Sequence, residues 1–429
     1  MIMAACPLFP CRTPAIRHQR ERGVVAIIVA LSLAVLVGFA GIVLDLGHLF
    51  VNKTELQNAA DACALAAANQ LVCDPTDEEC PIAFLQDAEA AGTFVAARNT
   101  NDFQDKAVTI NAGDVRFHTD VGPNSAFLPV GSADTNSKFA MCTARSAPIA
   151  PWFMKVLANF APLVVQAQAV ATLAPGQTAC NSSPIGVCAK SDTKPFGFTD
   201  GEWIISKFNN SQGGDDSSLE GNFRWVDFSA NAGGTSEIRD QLLGNGTVCN
   251  IKVGDEVKEE GVKQGSKAAW NTRFGIYPNG ANAPTPASVA PDKTGYAYPS
   301  KSPGPAIAIG QSAYADYRSN QAANTPFIKQ QYDGAGNVVA NNQASTQDHL
   351  KYGGERRLLS VPVIECGKAP DPVKILGMAC ILMLNPMSNG ANGDLYLEWR
   401  GMSNAPNSPC RTAGATGGTD GALVPTLVQ

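Results

Sequence analysis

The chain has 429 residues, of which 45% are hydrophobic and 16% are charged, and this length is sufficient for two domains with buried cores. The net charge is −6, although four arginines lie within the first 22 residues, so the remainder is more acidic still. The clustered basic face that a nucleic acid requires is therefore not indicated. The 40 glycines and 28 prolines are typical of a fold rich in strands and loops.

A basic tail, residues 1–23, precedes an apolar segment, Val24–Leu44, of 21 residues without a charge. A helix of this length rises roughly 30 Å, which is the thickness of the hydrocarbon core of a bilayer. A cleaved signal peptide is the alternative, but its apolar core is usually only about 7–15 residues long. We therefore predict a retained membrane anchor. The arginines before it and Asp45 after it place the N-terminus in the cytoplasm and the bulk outside.

The helical pattern continues beyond the membrane, because apolar residues recur at helical spacing through Leu46–Val72. A second helix is predicted at Pro81–Asn99, a short one at Pro151–Phe160, and a strand at Val164–Leu173. Residues 45–175 are thus predicted to form an extended helix followed by a compact α+β domain.

A domain boundary is predicted near Pro175, and residues 176–404 have the pattern of a β-rich domain with one helix at Ser236–Leu243. Residues 276–347, rich in Pro, Gly, Asn and Gln, are predicted to be a long loop insertion that is partly mobile, and residues 405–429 a flexible tail. The predicted strands are Pro184–Ala189, Glu202–Lys207, Asn222–Phe228, Val248–Val253, Leu358–Glu365, Val373–Asn385 and Asp394–Trp399.

Ten of the twelve cysteines follow the apolar segment, and an oxidising compartment favours disulfides there. The predicted local pairs are Cys73–Cys80 and Cys180–Cys188, since each closes a short loop containing proline. A zinc site would require a Cys-x-x-Cys motif or a nearby histidine, and the sequence has neither. We expect no metal and no cofactor.

Signals for catalysis are weak, because the chain has four histidines and no recognisable nucleophile, metal-protease or phosphate-binding motif. Two acidic loops, Asp74–Glu79 and Gly213–Ser218, lack the spacing of known calcium sites and are interpreted as solvated turns. We therefore expect a protein that is not an enzyme.

Small residues spaced by four form a ridge along the apolar helix, and this ridge continues toward the membrane exit. Such ridges allow helix backbones to approach closely in lipid. Alanine is common in any anchor, so the ridge also fits a plain membrane span. The candidate helix-packing residues are Ala26, Ala30, Ala34, Gly38, Gly41 and Asp45.

Residues 20–68 resemble the N-terminal module of TadG-like (TadE/TadG-related) proteins of the Tad, or Flp, pilus assembly system. The resemblance rests on Arg22-Gly23 at the start, on Asp-Leu-Gly at the membrane exit, and on a Leu-Gln-Asn-Ala-Ala-Asp signature. Cys63 stands where alanine is usual. The signature residues are Asp45, Leu46, Gly47, Leu56, Gln57, Asn58, Ala59, Ala60 and Asp61.

The resemblance implies a single-pass protein of the bacterial inner membrane, with its bulk in the periplasm and with other Tad pilus components, including minor pilins, as partners. Residues 24–175 are also similar to minor pilin-like proteins, which implies a pilin-like α+β domain. The metal-adhesion motif of many TadG proteins is absent, and Ile28 stands at the fifth position after Gly23, where processed minor pilins have glutamate.

The predicted function is that of a non-enzymatic structural or assembly component of a Tad (Flp, type IVc) pilus machine, which acts through helix packing and periplasmic protein contacts. One alternative is a minor pilin that is cleaved after Gly23 and incorporated in the filament. Another is a surface adhesin or extracytoplasmic enzyme carried by residues 176–429.

Overall fold

The computed structural model describes residues 22–72, 82–154, 161–177, 182–209, 218–228, 235–244, 251–261, 265–301, 306–333, 338, 342–368, 371–388, 392–405, 408–412, 415–419 and 421–428. Most of the basic tail, the predicted Cys73–Cys80 pair and most of the helix predicted at Pro151–Phe160 lie outside these residues.

The described residues combine helices and strands, which confirms the predicted α+β class. The helices are α1 (Arg22–Asn69), α2 (Ala83–Ala96), α3 (Thr235–Leu243), α4 (Ser266–Thr272), α5 (Tyr314–Ala322) and α6 (Thr346–Tyr352). The strands are β1 (Thr100–Asn101), β2 (Lys106–Ala107), β3 (Val115–His118), β4 (Phe139–Arg145), β5 (Gln166–Pro175), β6 (Ile185–Cys188), β7 (Trp203–Asn209), β8 (Ser218–Gly221), β9 (Phe223–Asp227), β10 (Glu256–Glu260), β11 (Ile276–Tyr277), β12 (Asn342–Gln343), β13 (Leu358–Ile364), β14 (Val373–Met383), β15 (Asn392–Met402) and β16 (Leu423–Leu427).

Helix α1 has 48 residues and two halves with opposite surroundings. Its first half is long and apolar enough to cross a membrane, and the side chains of that half are almost all exposed. The second half has a stripe at helical spacing that is completely buried. These buried residues are Leu56, Ala59, Ala60, Cys63, Ala64, Ala67 and Ala68. The single continuous helix predicted from the pattern is thus confirmed.

The buried half of α1 packs against α2 and against a four-stranded antiparallel sheet with the order β16-β5-β4-β3. Both surfaces carry small side chains, since Ala140, Ala144 and Ala169 of the sheet are buried beside the alanines of α1. Small residues allow the helix and sheet backbones to approach closely. The disulfide Cys63–Cys142 links α1 to β4, which explains the cysteine that replaces the usual alanine.

The C-terminal segment differs from the flexible tail that we predicted. Strand β16 pairs with β5 in antiparallel register, from Leu423↔Pro175 to Leu427↔Ala171, and Leu423 is buried. The partner strand lies about 250 residues earlier in the chain, so the pairing leaves no local pattern in the sequence. The long segment between β5 and β16 is therefore inserted between two adjacent strands of one sheet.

This inserted segment contains an eight-stranded sheet with the order β10-β9-β6-β13-β14-β15-β7-β8. Strands β8 and β9 are separated only by Asn222, so together they form one bent strand that pairs with β7 on one side and β6 on the other. The sheet thereby closes into a barrel, and β10 additionally joins β9 to β14. Bulky side chains such as Trp225, Trp270 and Phe208 fill the core.

Much of the predicted loop insertion at 276–347 is instead ordered and packed. Buried tyrosines, including Tyr298 and Tyr317, anchor it to the sheet. The buried carboxylate of Asp292 accepts hydrogen bonds from the hydroxyl of Tyr317 (3.1 Å) and from the backbone N–H groups of Arg356 (2.8 Å) and Arg357 (2.9 Å). The composition of this segment predicted a loop, but the buried aromatic side chains and the hydrogen bonds to Asp292 hold it in place.

The cysteine pairing also corrects a prediction. Cys188 bonds to Cys366 rather than to Cys180, which lies outside the described residues. Cys188 ends β6, and β6 pairs in parallel with the end of β13 at Ile364↔Cys188, which brings Cys366 within reach. A further disulfide, Cys380–Cys410, joins β14 to the segment that leads to β16.

Candidate functional site

The candidate site lies around α1 where the helix leaves its apolar half. The carboxylate of Asp45 accepts hydrogen bonds from the backbone N–H groups of Trp152 (2.8 Å), Phe153 (3.0 Å) and Met154 (2.7 Å). Consecutive N–H groups of this kind are the unpaired donors at the start of a helical turn, and a carboxylate is a strong partner for them. Asp45 is only 3% exposed, so it packs against a segment of its own chain.

Gly41, one turn before Asp45, is covered by the same segment. A β-carbon built at Gly41 would lie 2.8 Å from Cβ of Phe153, which is closer than real side chains approach. Glycine is therefore required if residues 151–154, which we call the exit segment, are to lie against the helix. The predicted packing residues Gly41 and Asp45 are thus buried by a contact within the chain.

Three polar residues continue the face of Asp45 along α1 and bind the loop between β1 and β2. His48 Nε2 lies 2.6 Å from Asp102 Oδ1. The side-chain oxygen of Asn52 accepts the N–H of Asp102 (3.1 Å), and Glu55 accepts the N–H of Phe103 (3.2 Å). A spacing of three and four residues places these groups on one side of the helix.

The captured loop has a strained backbone. Asp102, Phe103 and Gln104 have positive φ values of 59°, 59° and 65°, a region that costs energy for residues other than glycine. The backbone N–H groups of Asp102 and Phe103 donate hydrogen bonds to Asn52 and Glu55, which hold these two residues in place. Strain held by specific partners is common at functional sites.

Aromatic rings join the loop to the exit segment. The His48 ring stacks on Phe103, at a centroid distance of 5.2 Å, and on Trp152, at 4.3 Å, and the Phe103 and Trp152 rings are 6.2 Å apart. Hydrogen bonds from Lys106 and His48 lower the pKa of Asp102. Sequence reasoning gave His48 no special role, although the polar residues at 45, 48, 52 and 55 form one helical face that could have indicated a docking surface.

The rest of the predicted ridge remains open. Ala26, Ala30 and Ala34 are exposed, and Gly38 is half-buried. An apolar groove of about 500 Å³ runs along this side and ends at Phe153, which caps it. The lining residues are Ala30, Leu33, Ala34, Val37, Gly38, Gly41 and Phe153.

The signature residues divide between core and surface. Leu56, Ala59 and Ala60 are buried in the α+β core. The side-chain amide of Gln57 donates to the backbone oxygen of Gln168 in β5 (3.0 Å) and to Asp61 of the same helix (2.8 Å), so Gln57 fixes the helix on the sheet and Asp61 orients its amide. The exposed members are Leu46, Gly47 and Asn58.

Among the described residues, no group of three or more His, Cys, Asp or Glu side chains is placed to hold a metal ion. His349 is buried and bonded through Nδ1 to the backbone oxygen of Asp292 (2.7 Å), while His118 bonds to the backbone of Asp120 (2.7 Å). The rings of both histidines are thus bonded to backbone groups. The acidic loop Asp74–Glu79 and most of Gly213–Ser218 lie outside the described residues.

The N-terminal helix matches a known protein family. Residues 23–70 match the family described as putative Flp pilus-assembly TadE/G-like, and the match covers α1 almost from end to end. The resemblance of the N-terminal module to this family is therefore confirmed, and the family supports a role in pilus assembly. Comparisons with curated proteins and with solved structures give no match.

Proposed function

We propose that this chain is a membrane-anchored, non-enzymatic component of a Tad (Flp, type IVc) pilus assembly machine. The match of residues 23–70 to the TadE/G-like family is the observation that supports this most directly. In the proposal, α1 crosses the bacterial inner membrane with the basic tail in the cytoplasm and the disulfide-bonded bulk in the periplasm. The charge distribution and the three disulfides found among the described residues support that orientation.

The partner in the membrane would be a helix of another pilus component. The open groove beside Ala30, Ala34 and Gly38 offers small residues over two turns, and small residues let helix backbones approach in lipid, where packing drives association. Because Phe153 caps the groove at the membrane exit, the partner helix would lie against the apolar half of α1 only.

The test is co-purification of the tagged full chain from membranes of its pilus-forming host, with identification of the proteins that accompany it. Ala34→Phe fills the groove, whereas Leu36→Phe adds the same ring on another side of the exposed helix. We expect other Tad components to co-purify with the wild type and with Leu36→Phe. With Ala34→Phe, the recovery of these components should be several-fold lower. Absence of Tad components from the wild-type preparation would contradict the proposed function.

A minor pilin is the second candidate, because one observation favours it. Helix α1 has an exposed apolar half and a second half that packs on an antiparallel sheet, and this arrangement is similar to that of pilins. Intact mass analysis of the purified chain separates the two candidates. A chain that begins at Val24 and is found in sheared filaments would favour the pilin, whereas an uncleaved chain in the membrane favours the assembly component.

A further inference from the structure

We propose that three aromatic residues, Phe103, Trp152 and Phe153, form a collar that seats the α+β domain on the surface of the lipid bilayer. We call these residues the aromatic collar. The proposal depends on α1 crossing the membrane, but not on its role in a pilus. It assigns a second membrane contact to the chain in addition to the apolar helix.

The depth of the collar follows from its attachment to α1. The Phe153 side chain lies against Gly41, and the backbone N–H of Trp152 donates a hydrogen bond to the carboxylate of Asp45. Gly41 is three residues inside the end of the apolar segment at Leu44, which corresponds to about 5 Å along a helix. If Gly41 lies at the edge of the hydrocarbon, Phe153 must lie there too, and Trp152 must lie at the level of the headgroups.

The chemistry of the collar suits that depth. Phe103, Trp152 and Phe153 are 56%, 53% and 44% exposed, which is unusual for aromatic side chains in a folded domain. Tryptophan in particular is enriched where membrane and water meet, because its ring is apolar and its N–H is polar. The stack of Phe103 and Trp152 on His48 fixes two of the rings before they meet lipid, so little ordering is needed on contact.

Lipid fits this surface better than a protein partner does. The collar comes from two separate segments of the chain, and Phe50, which is 64% exposed, adds an aromatic side chain on another side of α1 just beyond the exit. Phe50 lies nine residues beyond Gly41, about 13 Å along the helix, so the aromatic groups flank α1 on more than one side over the depth where a membrane meets water. The collar is also continuous with the exposed apolar half of α1.

The distribution of tryptophan makes the proposal directly testable. Of the five tryptophans, Trp152 is 53% exposed, whereas Trp203, Trp225, Trp270 and Trp399 are 7% exposed or less. The full chain is reconstituted in phosphatidylcholine–phosphatidylglycerol vesicles whose acyl chains are brominated either near the headgroup or near the chain end. Bromine quenches tryptophan only at close range, so the pair of lipids reports depth.

Three variants calibrate the measurement in the Trp152→Phe background. Leu36→Trp reports the middle of the span, Leu350→Trp reports an exposed site on α6, and Phe153→Trp is a second reporter in the collar. We expect bromine near the headgroup to quench a component of wild-type emission that Trp152→Phe lacks. The same lipid should quench the emission of Phe153→Trp more strongly than bromine near the chain end does. Leu36→Trp should respond to deep bromine, and Leu350→Trp to neither lipid.

The outcomes separate the collar from the anchor. If Leu36→Trp is quenched while Trp152 and Phe153→Trp are not, the collar lies away from the membrane and the proposal is overturned, although the anchor stands. If Leu36→Trp is also not quenched, α1 does not span the bilayer, and both the collar and the membrane-anchored function are overturned.

Discussion

The side chain of Phe153 lies directly over Gly41, so close that a β-carbon at position 41 would be 2.8 Å from Cβ of Phe153. This contact connects a residue of the apolar helix with a segment more than 100 residues later in the chain. It also ends the groove on α1, so it determines which part of the helix face stays open.

Gly41→Ala should displace the exit segment, because overpacking of a tight contact typically costs about 1–3 kcal/mol. We expect the amides of residues 152–154 to exchange with solvent about tenfold faster or more in hydrogen-exchange mass spectrometry. Gly38→Ala is the matched control, because a β-carbon there would meet no atom within 4 Å beyond the nearby backbone of its own helix. Equal exchange in the two variants would show that Phe153 does not depend on glycine at 41.

Asp45→Asn should weaken the same segment by a different route. The carboxylate accepts three backbone N–H groups with both oxygens, whereas the amide of asparagine has a single acceptor oxygen. Loss of a buried acceptor costs roughly 1–3 kcal/mol, so exchange at Trp152 or Met154 should rise at least several-fold. Asp61→Asn is the control, since its carboxylate accepts from Gln57 and lies far along α1. If the exit-segment amides of Asp45→Asn exchange as slowly as in the wild type, the carboxylate of Asp45 does not hold the exit segment on α1.

The loop between β1 and β2 should be sensitive to acid. Hydrogen bonds from Lys106 and His48 lower the pKa of Asp102 below its ordinary value of 3.8, so its ionised form is stabilised in the folded protein. That stabilisation is complete above the ordinary pKa and is lost as the pH falls through the lowered value. Below about pH 4 the loop should therefore begin to detach from α1.

The measurement is the midpoint temperature of thermal unfolding in detergent as a function of pH. Asp102→Asn should lower the midpoint of thermal unfolding by about 2–4 °C at pH 7, since an ion pair with an exposed lysine contributes at most about 1 kcal/mol. The difference from the wild type should shrink as the pH falls below about 4. Asp105→Asn, exposed in the same loop, should have little effect at any pH. A constant difference for Asp102→Asn down to the lowest pH would argue against the ion pair as its source.

Sequence reasoning succeeded where burial follows local periodicity. The apolar run and the alanine stripe gave α1, and the β-branched run from Leu358 gave β13 with its start at the observed residue. It failed where a contact joins distant segments. Nothing near Leu423 indicates that β5 needs an edge partner, and nothing near Asp45 indicates that Trp152 will return to it. The polar face at 45, 48, 52 and 55 carried a signal, but its partners could not be read from the sequence.

Disulfide mapping will check the tertiary connections between distant cysteines. Digestion of the unreduced protein should release the linked peptides Cys63–Cys142, Cys188–Cys366 and Cys380–Cys410. Each bond closes a loop of 30 residues or more, so each reports long-range structure rather than a local turn. Recovery of a Cys180–Cys188 peptide instead would contradict the parallel pairing of β6 with β13.

Removal of residues 422–429 should destabilise the α+β domain. Strand β16 covers the edge of β5 over five residue pairs and also packs on α1, and Ala422, Leu423 and Val424 are buried. Burial of one large aliphatic side chain is worth about 1.5–3 kcal/mol, so loss of the strand should cost several kcal/mol. The exposed edge of β5 should in addition promote aggregation.

The readout is limited proteolysis in detergent, with mass analysis of the fragments. We expect the truncated chain to be cut within residues 82–175 much faster than the full chain. Deletion of Gln429 alone is the control, because the described strand ends at Leu427. The barrel should meanwhile resist cleavage to the same extent in both chains, since its core residues lie in other strands. If the truncated α+β domain remains as resistant as the intact one, β16 is dispensable and the domain is complete by β5.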